Sequence, residues 1–155
     1  MGTAVVEDAH ADSAPRGRGE RILLVDDEEL LARMGQLTLS TLGYEVETAA
    51  RPEVALEMFM ADPERFALVV TDHTMPVMTG LVLSARMKLI RPGLPTILMT
   101  GNNLSITAEK LSQAGVAQVL LKPTSLIALA TAVQKALQAA ASPLAQGNHG
   151  SAATG

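Results

Sequence analysis

Five short aliphatic runs, each followed by a stretch of helical period, recur along this chain, and that alternation constrains its fold more than any other feature. Arg21–Val25 (RILLV) is an apolar run closed by acids, the pattern of a strand buried on both faces. Glu28–Leu42 then turns to a period of 3.6. Leu30, Met34, Leu37 and Thr41 share one face beside Leu31, Thr38 and Leu42, and Gly43 stands where a helix C′ glycine belongs. Tyr44–Thr48 reads as a weaker strand, and Pro52 opens a helix whose apolar side is Val54, Ala55, Met58 and Phe59. Phe66–Thr71 is a third strand and Gly80–Ile90 a third helix. Pro92, Gly93 and Pro95 punctuate the entry to a fourth strand, Thr96–Met99. A shorter helix over about Ser105–Ala114 ends at Gly115, and Val116–Leu121 is the fifth strand. The last helix, Pro123 to about Ala140, carries Leu126, Ala130, Val133 and Leu137 in register. Such βα repetition predicts an α/β fold, a doubly wound five-stranded parallel sheet covered on both faces by helices.

Composition agrees. The 155 residues amount to one domain, and 48% hydrophobic against 18% charged residues is enough for a core. Only Tyr44, Phe59 and Phe66 are aromatic, so that core must be aliphatic, with Met34, Met58, Met87 and Met99 expected in it. Residues 1–19 and 141–155 lack apolar periodicity and read as flexible tails around a folded body at 20–140. With 16 acidic and 12 basic residues and no basic cluster, the chain lacks the electrostatic footprint of a nucleic-acid binder. The absence of cysteine excludes disulfides, thiolate metal sites and a cysteine nucleophile. No apolar stretch approaches the ~18 residues of a membrane span, and the N-terminus has no secretory pattern, so a cytoplasmic protein is expected.

In a parallel sheet of this kind all strand C-termini lie on one edge, where ligands bind. The residues just after the strands are Asp26 and Asp27, Asp72, Thr100 and Lys122. Three carboxylates in one crevice repel unless cations answer them. Lys122 is one cation, and the all-oxygen donor set suits Mg²⁺ as the other. A metal, an ammonium and a hydroxyl around a carboxylate can stabilise phosphoryl oxygens, with the carboxylate as nucleophile. Singly, each residue has a plainer reading. Asp26 or Asp27 could be a helix cap, Thr100 a turn residue, Lys122 a solvated charge, and His73 an exposed loop histidine. Their conjunction at four strand ends is the informative point.

At ILLVDDEE (Ile22–Glu29), VVTDHTMPVMTG (Val69–Gly80), ILMTG (Ile97–Gly101) and LLKP (Leu120–Pro123), in that order, the chain resembles the receiver domain of two-component response regulators. The resemblance covers about Glu20–Ala140 and implies a (βα)5, flavodoxin-like fold with strand order 2-1-3-4-5. It implies that Asp72 is a phosphoacceptor served by a histidine kinase or phosphotransfer protein. Asp27 would bind Mg²⁺ directly, Asp26 mainly through water, and Thr74 through its backbone carbonyl. Lys122 and Thr100 would hold the phosphoryl oxygens, with the Gly101 N–H beside them. Pro76 and Gly80 would shape the loop after the third strand, and the Lys122–Pro123 bond would be cis. Thr74 and Asn102 occupy the positions where the family tunes dephosphorylation. Val119 stands where the family often has an aromatic switch residue, so transmission would rest on shifts around Asn102–Ala114 and on the face of the fourth helix, fifth strand and fifth helix. No external substrate turnover and no DNA-binding output domain are expected, whether the receiver stands alone or belongs to a hybrid sensor kinase. Two other readings are a degenerate receiver that binds protein without phosphorylation and a Mg²⁺-dependent phosphatase. The latter is disfavoured because haloacid-dehalogenase-type enzymes carry D-x-D after the first strand, where this chain has adjacent acids.

Overall fold

The computed structural model describes residues 14–101 and 106–141. Asn102, the start of the fourth helix at Ser105 and most of both expected tails lie outside the described residues. Five strands, β1 (Arg21–Val25), β2 (Glu45–Ala49), β3 (Leu68–Asp72), β4 (Thr96–Thr100) and β5 (Val116–Leu121), alternate with five helices, α1 (Glu29–Thr41), α2 (Pro52–Ala61), α3 (Gly80–Ile90), α4 (Ala108–Gln113) and α5 (Leu126–Ala141). All strand pairs are parallel and the order is β2-β1-β3-β4-β5, the doubly wound sheet that the alternating pattern requires. The central β3 is buried at every residue, which is why it opens on the apolar run Leu68–Val70 rather than alternating, before the buried Thr71 and Asp72.

Two apolar clusters sandwich the sheet. One joins Leu24, Val70 and Ile97 to Leu39 of α1 and to Leu129, Ala130 and Val133 of α5. The other joins Leu23, Val25 and Val69 to Ala55 and Phe59 of α2 and to Leu83 and Met87 of α3. No residue of α4 is buried, and its C-terminal end is held by polar bonds. Ser84 Oγ of α3 donates to the Ala114 carbonyl at 2.5 Å, and Lys88 Nζ reaches the Ser112 and Gln113 carbonyls at 3.1 and 3.4 Å. Side chains of α3 thus satisfy the carbonyls that end α4.

Three expectations are corrected. First, α1 buries Ala32 and Leu39, while Leu30, Met34 and Leu37 are exposed, so Met34 is not a core methionine. The sequence offers two apolar stripes, and Gly35 decides between them. A Cβ there would lie 2.9 Å from Leu24 Cδ2, so this side of α1 sits closest to the sheet. Second, β3 starts two residues later than the apolar pattern suggested and ends one later, taking in Asp72, and α5 starts only at Leu126. Third, Ala14–Gly19 pack on the body rather than trailing from it. Ala14 is buried in the α1–α5 cluster, and the Gly17 and Gly19 N–H groups donate to the Leu42 and Gly43 carbonyls at 2.6 and 2.7 Å. A Cβ on Gly17 would lie 2.4 Å from the Tyr44 ring, a contact invisible to any periodicity argument.

Candidate functional site

The parallel sheet brings the C-terminal ends of β1, β3, β4 and β5 to one edge, and the buried carboxylates Asp26 and Asp72 lie there. Asp26 follows β1, Asp72 and Thr100 are the last residues of β3 and β4, and all three are buried. Lys122 follows β5 and is half-buried, and Asp27 is exposed at the rim. Backbone bonds register these ends against one another. His73 N–H donates to the Met99 carbonyl at 2.8 Å, Lys122 N–H to the Thr100 carbonyl at 2.8 Å, and Asp26 N–H to the Ala49 carbonyl at 3.1 Å.

Lys122 Nζ stands 3.3 Å from Asp72 Oδ1 and 3.6 Å from Asp26 Oδ2. Asp26, Asp27 and Asp72 can each bring one carboxylate oxygen within 4.8 Å of the others. Helix capping does not account for them, because the N-cap of α1 is Glu28, without a side-chain bond. Asp26 does take part in the local turn, since its Oδ1 accepts the Glu28 N–H at 2.9 Å while Oδ2 faces Lys122. Burial pushes the Asp72 carboxyl above the ordinary carboxylate range. Lys122 pulls it back, and Asp26 and then Asp27 push it up again. Burial disfavours the Lys122 ammonium, but Asp26, Asp72 and Glu28 outweigh this and hold it above its ordinary value. The single lysine therefore leaves this cluster short of positive charge. A hard divalent cation bound by oxygen ligands suits such a site.

The loop after β3 is pinned at both ends. Gly80 N–H donates to the His73 carbonyl at 2.9 Å, and Thr79 Oγ1 caps α3 by accepting the Val82 N–H at 3.2 Å. A Cβ on Gly80 would lie 2.3 Å from the Asp72 carbonyl oxygen, so only glycine lets the loop close this tightly over β3. Between these ends Met78 N–H donates to the Pro76 carbonyl at 2.8 Å across Val77, whose φ is 75°. This is a γ-turn of the strained hand, a conformation costing of the order of 1–3 kcal/mol for a β-branched residue.

Thr74 and Pro76 are exposed in this loop, and Gly101 is exposed beyond Thr100 with nothing within 4 Å of where its Cβ would be. Val119 on β5 is exposed, and the Lys122–Pro123 bond is cis. His73 is half-buried rather than an exposed loop residue. Its Nδ1 is buried without a partner, and burial lowers its pKa against the opposing pull of Asp72. Beside the site, α1 and the turn into α5 frame an apolar cleft of about 220 Å³ lined by Leu31, Met34, Gly35, Pro123, Leu126 and Leu129. Sequence reasoning missed this cleft and the Val77 turn. The cleft depends on which α1 stripe faces inward, and nothing in the letters Met-Pro-Val-Met specifies a positive φ.

Residues 22–134 match the response regulator receiver domain. Among curated proteins, the chain is 37% identical over 108 residues to the transcription factor SKN7 of Chaetomium thermophilum, covering 70% of this chain and 14% of that protein. It is 36% identical over 124 residues to the DNA-binding transcriptional regulator NtrC of Azospirillum brasilense, covering 80% and 25%. The chain thus spans a quarter or less of these relatives. Among solved structures, a response regulator receiver domain protein from Clostridium thermocellum superposes with a TM-score of 0.72 at 28% identity, covering 77% of this chain and 94% of that one. The response regulator TrrA from Thermotoga maritima, solved in complex with Mg²⁺-BeF, superposes at 0.66 with 29% identity, covering 75% and 97%.

Proposed function

Because the chain belongs to the response regulator receiver domain family, we propose that Asp72 accepts a phosphoryl group from a phosphohistidine on a kinase or phosphotransfer protein and thereby switches a protein-binding face. The observation that carries this reading is Lys122 Nζ at 3.3 Å from Asp72 Oδ1 inside a cluster of three carboxylates. An Asp72 oxygen attacks phosphorus, the phosphorus–nitrogen bond of the donor breaks, and the electron pair leaves with the imidazole, which takes a proton from solvent. The product is an acyl phosphate. Water later attacks its phosphorus, releasing inorganic phosphate and restoring the carboxylate.

Asp26, Asp27 and Asp72 fit Mg²⁺, since the donors are all oxygen and the cluster is short of positive charge, and the Thr74 carbonyl would be a further ligand. Bound there, the ion would supply charge to the phosphoryl oxygens. The rest falls to the chain. Lys122 neutralises Asp72 before transfer and holds a phosphoryl oxygen after it, Thr100 donates to another, and the exposed Gly101 N–H is accessible to a third. The apolar cleft, with Met34 of α1 on its wall beside Asp26 and Lys122, borders this edge and offers a donor protein an apolar seat. The face formed by α4, β5 and α5, with Val119 in place of an aromatic switch, is the surface whose partner changes. The receiver turns over no external substrate, binds no nucleic acid itself and works in the cytoplasm.

Intact mass after incubation with acetyl phosphate tests the reading. One added phosphoryl group is expected in wild type with Mg²⁺, and none with chelator or in Asp72→Asn. A folded wild-type protein that gains no mass and shows no beryllofluoride binding would instead make this a phosphorylation-independent binding module.

A further inference from the structure

Exposed apolar residues scattered singly are ordinary on any surface and need no explanation. Val77 differs because its backbone carries a cost. It is 84% exposed, yet it occupies the centre of the γ-turn at φ 75°, the region that glycine or asparagine enters with far less strain. The Val77 side chain itself gains no core packing. The neighbours Met75 and Met78 turn into the apolar cluster beneath α2 and α3, while Val77 belongs to neither cluster of the core. The turn is also rigid, with Gly80 N–H bonded to the His73 carbonyl on one side and Met78 N–H to the Pro76 carbonyl within it. An apolar side chain is therefore held out in a fixed direction five residues from Asp72, on the loop that leaves the phosphoacceptor strand.

We propose that Val77 is a docking anchor for the protein that delivers the phosphoryl group, seated in an apolar pocket of that donor, and that the γ-turn pre-orients it for this contact. The proposal rests on the reading of Asp72 as phosphoacceptor. A protein carrying a phosphohistidine must cover the loop that leaves β3 to bring its phosphorus to Asp72. A small donor such as acetyl phosphate needs no such cover. Val77 thus discriminates between two classes of donor at one acceptor. A rigidly held side chain loses little freedom on contact, so one anchor of this kind suffices to shift an encounter affinity about ten-fold.

The test compares wild type, Val77→Gly, Val77→Asn and Val77→Ile with two donors. These are acetyl phosphate and the autophosphorylated histidine kinase that labels wild type fastest in a purified panel. Glycine and asparagine relieve the turn and remove the apolar group, whereas isoleucine keeps both the strain and the contact. Val77→Gly and Val77→Asn are expected to unfold at higher denaturant than wild type and to take phosphoryl groups from acetyl phosphate within two-fold of its rate. Their kcat/KM with the kinase should fall about ten-fold, through KM, while Val77→Ile retains it. Kinase transfer unchanged in all three variants overturns the proposal. So does an equal loss with both donors, which would make the turn a positioning device for Asp72. A wild type labelled by acetyl phosphate but by no kinase removes the protein donor and the proposal together. A wild type labelled by neither overturns the phosphoacceptor reading itself.

Discussion

Asp72 is held above its ordinary pKa by burial, and this has a sign that can be checked. A carboxyl with a raised folded pKa favours the folded state while it is protonated in both states. That contribution is lost as pH rises from the unfolded value through the folded one. Above the ordinary carboxylate range, without divalent cations, Asp72 therefore weighs against folding. Asp72→Asn is expected to unfold at higher urea than wild type at pH 7 in chelator, with the gap closing as pH falls below the ordinary carboxylate range. Adding Mg²⁺ should stabilise wild type more than the variant. Lys122 acts in the opposite sense. Lys122→Ala leaves Asp26 and Asp72 facing each other without their cation and should lower stability by roughly 1–3 kcal/mol in chelator, with partial recovery in Mg²⁺. At Gly80 the restraint is steric. Gly80→Ala drives a Cβ into the Asp72 carbonyl and should cost roughly 1–3 kcal/mol by equilibrium unfolding. The Asp and Lys positions were legible in the sequence because each follows an apolar run. The Gly80 contact and the burial of His73 were not, since both depend on how a loop folds back over its own strand.

Among the elements, α4 is the one that buries no side chain, and polar bonds from α3 hold its C-terminal end. Lys88→Met keeps the stem that lies along Gly115 and removes the ammonium that reaches the Ser112 and Gln113 carbonyls. Amide hydrogen exchange at Leu111–Gly115 is expected to quicken several-fold in this variant, with β1 and β3 unchanged. Ser84→Ala strands the Ala114 carbonyl and should cost about 1 kcal/mol more broadly, because Ser84 is buried. The order and type of the elements follow from period alone, since a run such as RILLV or ALVVT between helical stretches has few alternatives. Which face α1 buries does not. Leu30–Met34–Leu37 and Leu31–Leu39–Leu42 differ little in hydrophobicity, and the decision lies in the lack of a side chain at Gly35. The late end of β3 was hidden for a related reason. Asp72 pairs with Met99 as strand backbone while its side chain serves the site, so the apolar run ends one residue before the strand does.

For the molecule as a whole, the sheet is flanked by two separate apolar clusters, and Ala14 ties the segment Ala14–Gly19 to one of them. Arg16 donates to the Thr41 carbonyl at 3.0 Å, and Arg16, Arg18 and Tyr44 share a cleft of about 300 Å³ with Gln134, Leu137 and Gln138 of α5. Removing residues 1–18 should lower the unfolding free energy by roughly 1–2 kcal/mol, read from urea midpoints at unchanged slope, because it uncovers Tyr44 and releases the Leu42 carbonyl. The segment was invisible to composition, since its contacts run through one small side chain, Ala14, an arginine and the backbone of two glycines rather than through an apolar periodicity. The absence of α4 from both clusters has a consequence on a different timescale. Selection for stability filters sequence change mainly through buried side chains, and along Ala108–Gln113 it has none to act on. This stretch can drift and diverge in sequence while the fold beneath it stays intact.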